Sequence, residues 1–188
     1  MTTPGEILDF WFGDRTQPQR EAYRDIWFDE DPAFDAEISS RFGADVQAAN
    51  AGGLREWEET AEGALALILL LDQFNRNLHR HTAHAFAGNE RAHKIARASI
   101  AKGFDASVTK AERQFFYMPL EHSECLKDQD RCCELMAALG DPGLLKYAEQ
   151  HRAVVRRFGR FPHRNLALGR ISTPEEAEFL KLPDSSFW

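Results

Sequence analysis

Cysteine is scarce in this chain, with three among 188 residues: Cys125, Cys132 and Cys133. An odd count without C-x-x-C spacing argues against a disulfide framework or a cysteine zinc site, and a reducing compartment is expected. Cys125 and Cys132 fall on one face of a continuous helix but roughly 10 Å apart along its axis, too far for a bridge. All three are read as small core residues. Proline and glycine are also sparse, at eight and twelve residues, which excludes a low-complexity or largely disordered chain.

Long apolar runs are missing. The longest, Ala64 to Leu71, is eight residues, against the ~20 that a membrane span requires. The opening Met1-Thr-Thr-Pro-Gly-Glu6 shows no basic segment followed by an apolar one, so a cytoplasmic location is expected. Positive charge is in deficit, with 23 Lys and Arg against 30 Asp and Glu and a net charge of -7. Such a chain has no broad basic field for nucleic acid or an anionic membrane, and neither partner is expected. The Gly-x-Ser-x-Gly, phosphate-loop and dinucleotide motifs are absent, so no cofactor is expected. No metal site is expected either. Glu90-Arg-Ala-His93 is a single Glu-x-x-His where a di-iron bundle needs two, and His79, His81 and His84 have no Cys or carboxylate at ligand spacing.

What the chain does have is helical periodicity throughout, which predicts an all-α fold of antiparallel hairpins in a single 1–188 domain. Thr3 and Glu6 form a capping box around a short helix that opens at Pro4 and stops at Gly13. A second helix is expected over about Arg20 to Phe28. A third opens at Asp31-Pro32, carries Phe34, Ile38, Phe42 and Val46 as a stripe, and ends at Gly52-Gly53. The fourth, from about Thr60 to His79, is apolar all round at its centre and reads as buried. Asn89 is expected to cap a fifth that Gly103 closes. The sixth opens at Thr109, with Phe115, Met118, His122 and Cys125 on one face and a kink at Pro119, and continues from Gln129 to Leu139. Asp141-Pro142 starts a seventh, to about Phe158, and Thr173-Pro174-Glu175-Glu176 a last short one. Asp9-Phe-Trp-Phe and Asp25-Ile-Trp-Phe look alike but do not recur, so no fixed-period repeat is read.

The polar residues that break this pattern are the candidate site. Arg157-Phe-Gly-Arg-Phe-Pro-His-Arg-Asn165 lies in a window, His151 to Arg170, that holds six arginines and no acid. Gly159 and Pro162 shape the loop, and Phe158 and Phe161 anchor it, so Arg160, His163, Arg164 and Asn165 would be held to meet a carboxylate or phosphate. Internal carboxylates are the alternative partners. Asp72 follows the apolar stripe of the fourth helix, and Arg76 stands at i+4 as its natural partner. Glu121, Glu124 and Asp128 share one face of a continuous sixth helix, with His122 turned to the apolar side. Either these acids pin the arginine loop, or one of them pairs with His122 for acid–base work. His151, on the apolar face of the seventh helix, reads as a hydrogen-bonded core residue.

Leu71-Asp-Gln-Phe-Asn-Arg-Asn77, Phe116-Tyr-Met-Pro-Leu-Glu-His-Ser-Glu124, His151, the arginine loop, Leu168-Gly-Arg-Ile-Ser-Thr-Pro-Glu-Glu176 and Asp9-Phe-Trp-Phe-Gly13 together resemble the bacterial domain of unknown function 924 family. The resemblance covers essentially the full length. It implies a compact helical fold of the tetratricopeptide-like superfamily and transfers no activity. The family pattern has proline where this chain has Asn75, and aspartate where it has Cys125. The latter removes one acid from the candidate site.

Two functions follow as expectations. The first is a binding or scaffold domain whose polar pocket takes an anionic small molecule or peptide through Asp72, Arg76, Arg160, His163, Arg164 and Asn165. The second is a hydrolase-type enzyme, with catalytic candidates His122, Glu124 and His163, in which Glu124 or His122 acts as acid–base group and Arg160 or Arg164 stabilises an anion. The aromatic content and the terminal Phe187-Trp188 would suit a homodimer.

Overall fold

The computed structural model describes residues 2–17, 20, 22–183 and 185–186, and the regular structure among them is all α-helix and related helical turns. Helix α1 (Pro4–Phe12) opens with the expected reciprocal box, Glu6 reaching back to the Thr3 amide at 2.7 Å, and buries Ile7, Leu8, Trp11 and Phe12. Helix α2 (Pro32–Asn50) starts where Asp31 accepts from the Ala33 and Phe34 amides, and its four-spaced stripe is buried as the pattern requires.

The helix expected over residues 20–28 is not formed. Its described part holds a short 3-10 turn, Asp25–Trp27. Tertiary bonds compete with helix here: Arg24 Nη1 donates to the carbonyls of Phe10 and Trp11, and Trp27 Nε1 donates to the Trp11 carbonyl at 2.8 Å. These side chains satisfy carbonyls that the end of α1 leaves open.

The central helix comprises α3 (Ala61–Ile68), a π-helical segment (Leu69–Phe74) and α4 (Asn75–Leu78), and residues 63–75 are all buried. Helices α1, α5 (Asn89–Lys102) and α6 (Lys110–Glu121) pack around α3, while α2 covers the π segment and α4. Asn89 is the first residue of α5 and not its cap. The cap position holds Gly88, because a Cβ there would lie 2.3 Å from the Leu71 carbonyl oxygen.

Helix α6 ends at Glu121 and α7 (Leu126–Ala138) begins after a turn, where the sequence suggested one longer helix. The break has local causes. Ser123 Oγ accepts from the Cys125 amide and donates to Asp128, and the buried Gln129 amide donates to the carbonyls of Glu121 and Ser123. Cys125 therefore sits exposed ahead of α7 instead of in the core, while Cys132 and Cys133 are buried. Helix α8 (Pro142–Phe158) lies along α7, and α9 (Pro174–Phe179) follows the arginine loop. Phe187 and Trp188, named above for a dimer contact, lie outside the described residues.

Two glycine substitutions test this packing. Gly88→Ala should destabilise by about 1–3 kcal/mol through overpacking against the π segment. Gly43→Ala, in the α2 interior with open space around it, should stabilise by about 0.5–1 kcal/mol. Urea unfolding midpoints measure both.

Candidate functional site

The π segment is where the buried apolar helix turns polar. Asp72 is fully buried within it, and such single wide turns recur at functional sites. Arg76 Nη1 donates to the Asp72 carboxylate at 2.7 Å and to its main-chain oxygen at 2.6 Å. Gln73 donates to the other carboxylate oxygen at 2.6 Å. From the end of α6, His122 Nδ1 lies 2.9 and 2.8 Å from the two oxygens.

Burial opposes the charge on Asp72, but Arg76, His122 and the hydrogen bonds outweigh it and hold its carboxyl well below the usual range. An ionised carboxylate only accepts, so Nδ1 carries the His122 proton. Burial and the Arg76 charge, opposed by Asp72, lower the His122 pKa to about 4. The ring is thus neutral at pH 7. Its Nε2 makes no hydrogen bond among the described residues, and His122 lines a cavity.

Glu121 behaves differently from the other acids. Burial, followed by the nearby Asp72 charge, raises its pKa to about 8, so it is mostly protonated at neutral pH. His151 Nδ1 donates to the Tyr147 carbonyl at 2.9 Å and lies 3.3 Å from Glu121. The expected core histidine is found, neutral because burial, with the His122 charge next, lowers its pKa to about 3.

The arginine loop is answered largely from within the chain. Arg160 forms a two-pronged pair with Glu176 at 2.6 and 2.7 Å, and Arg170 one with Glu124 at 2.8 and 2.9 Å. Glu124 also accepts from the Phe161 amide. Arg157 binds Glu175, and Arg156 binds Asp130. The acids Glu121, Glu124 and Asp128 do not share a face, because the turn after Glu121 separates them; Asp128 instead binds Arg97 and Ser123. Arg164, buried beneath Phe161 and Phe86, donates to the His122 carbonyl at 2.9 Å. Burial and the Arg76 charge lower its pKa to about 9, which leaves it cationic at pH 7. Asn165 donates to Ser172 and Glu176.

A cavity of about 450 Å³ opens beside the Asp72–His122 pair, within the range of small-molecule sites. Its polar lining includes Arg76, Glu121, His122 and Gln114, and Tyr23, Trp27, Phe28 and Tyr147 supply aromatic surface. Tyr23 and Tyr147 are exposed, and Tyr23 stacks on Phe28 at 5.7 Å. Arg160, His163, Arg164 and Asn165, expected at the ligand, are not among the residues that line this cavity. Neither is Glu124.

With fold and cavity in place, comparison with other proteins supplies the lineage. The family described as bacterial protein of unknown function (DUF924) matches residues 7–184. The chain belongs to this family. A solved DUF924 relative, a protein of unknown function from Agrobacterium tumefaciens, is 44% identical, with a TM-score of 0.86 over 95% of this chain and 96% of that one. No curated protein matches.

In this DUF924 member, Asp72, Arg76 and His122, singled out from the sequence, meet at one point, whereas the arginine loop named with them lies outside the cavity lining. The aromatic wall and Gln114 were missed. Gln114, Met118 and Glu121 stand at i, i+4 and i+7, a helical face with two polar members that was a readable signal. Tyr23 and Phe28 carried none, because their role depends on Arg24 and Trp27 reaching α1.

Asp72→Asn should destabilise by about 3–5 kcal/mol at pH 7, since it leaves Arg76 without its buried counter-charge; denaturant titration reads this. Glu121 predicts a pH effect. The unfolded chain releases this proton near 4.5 and the folded chain near 8, so its contribution to stability is full at low pH and is lost as pH rises through that window. The stability of Glu121→Gln relative to the parent should therefore improve steadily from pH 5 to pH 8.

Proposed function

We propose that the chain binds a small organic anion in the cavity, with the anionic group on Arg76 and a flat apolar part along the aromatic wall. The observation that carries this reading is the uncommitted donor capacity of Arg76. Among the described residues only its Nη1 is hydrogen-bonded, and its side chain lines the cavity. An unpaired buried donor is costly, and a carboxylate matches the guanidinium fork.

The lining carries Arg76 and Arg80 against Asp141, while Glu121, His122 and His151 are neutral at pH 7. A small molecule fits the cavity volume, whereas Arg160 and Arg170 are already spent on Glu176 and Glu124 and leave little for an external anion. Arg76 thus stays in the proposed ligand site, with Asp72 behind it as its counter-charge. Arg160, His163, Arg164 and Asn165 become the structure behind it.

Calorimetric titration with benzoate tests the proposal. Binding is expected for the parent chain, weakened about tenfold or more by Arg76→Gln, as for loss of a charge-assisted hydrogen bond. Tyr23→Ala, at the exposed rim, should weaken it without disturbing the fold, and Arg157→Gln should leave it unchanged. Absence of binding to the parent, or loss of binding in Arg157→Gln alone, would overturn the assignment.

A further inference from the structure

We infer that this cavity is a hydrolytic active site, in which His122 Nε2, oriented by Asp72, takes a proton from water that attacks the carbonyl carbon of an aryl ester facing Arg76. The inference rests on the ligand cavity proposed above and adds a reaction to it.

The geometry assigns the roles. Asp72 holds the Nδ1–H tautomer of His122 through contacts of 2.8 and 2.9 Å and is itself fixed by Arg76 and Gln73. It is a positioning residue, placed to favour the imidazolium as that charge develops. The Nε2 lone pair carries no hydrogen bond within the described residues, which leaves it available as a base. Arg76, with N–H groups that make no hydrogen bond among the described residues, and the Glu121 carboxyl, protonated at neutral pH and so an O–H donor, share the cavity lining with His122. A neutral acid and a neutral base in one cavity lining, with opposite displacements of their titration, allow an acid–base division of labour.

The step balances without a further reagent. As His122 takes one proton from water, the water oxygen bonds to the acyl carbon and the carbonyl electron pair moves onto oxygen, which faces Arg76 and Glu121. When the carbonyl re-forms, the bond to the aryl oxygen breaks. The imidazolium proton passes to that oxygen, and a carboxylic acid and a phenol leave. The aromatic wall of Tyr23, Trp27 and Phe28 suits the aryl group, and the product carboxylate is the class of anion that Arg76 is proposed to bind.

The test is hydrolysis of 4-nitrophenyl acetate and 4-nitrophenyl benzoate by the full chain from pH 3.5 to pH 9, with benzoate titration in parallel. The expected kcat/KM profile rises around pH 4 as His122 loses its proton and falls around pH 8 as Glu121 loses its own. His122→Gln should lower kcat/KM by about 100-fold or more. The wild-type profile stands by itself if that variant fails to fold. A surface histidine would instead give a single inflection near pH 6.5, and that profile, or unchanged turnover in folded His122→Gln, would overturn the inference. Benzoate binding without turnover of either ester would overturn the catalytic assignment and leave the binding proposal standing. Turnover of neither ester together with no benzoate binding would overturn both.

Discussion

A single negative charge in the middle of the helical core organises much of this molecule. Asp72 has no water to solvate it, so its ionisation depends on donors brought from other places in the chain. Arg76 comes from the next turn of the same helix, Gln73 from the adjacent position, and His122 from the end of α6. These requirements link the central helix to α6 at one point. Arg164 then binds the carbonyl of His122, which ties the C-terminal loop to the same point. The field of the ionised Asp72 also reaches Glu121 and helps to keep it protonated.

The arginine-rich loop is a clasp. Glu176 is engaged by the Thr173 amide of its own helix cap and by both prongs of Arg160, while Glu124 holds Arg170 and the Phe161 amide. Arg157 and Arg156, more exposed, add pairs that are individually weak. The strong local positive charge in the sequence thus reflects acids that are distant along the chain but adjacent in space. The clasp holds Phe161 against His151, at 5.6 Å between ring centres, and so backs the wall of the cavity.

The helices were legible wherever their ends carry local chemistry. Thr3 with Glu6, Asp31 with Pro32, Thr109 with Glu112, Asp141 with Pro142 and Thr173 with Glu176 all mark starts that the structure contains. The Asp72–Arg76 pair was legible for the same reason, since its partners lie one turn apart. Features set by distant contacts were not. The π segment has no residue signature of its own, and the end of α6 depends on Gln129 in the next helix. Residues 20–28 carry an apolar pattern compatible with helix, yet bonds from Arg24 and Trp27 to α1 keep the Asp25–Trp27 stretch a short turn. Glu124 was read first as an anchor for the arginine loop and second as a catalytic group, and its pair with Arg170 is the anchor.

The 3-10 turn that carries Trp27 is a single short turn, joined to the end of α1 through Arg24 and Trp27. One wall of the cavity is therefore tied to the first helix, distant from His122 in sequence but contiguous in space. An occupant packed against Trp27 would therefore be thermodynamically linked to the docking of α1: it would protect the amino-terminal helix from local opening, and loosening that helix would weaken its hold.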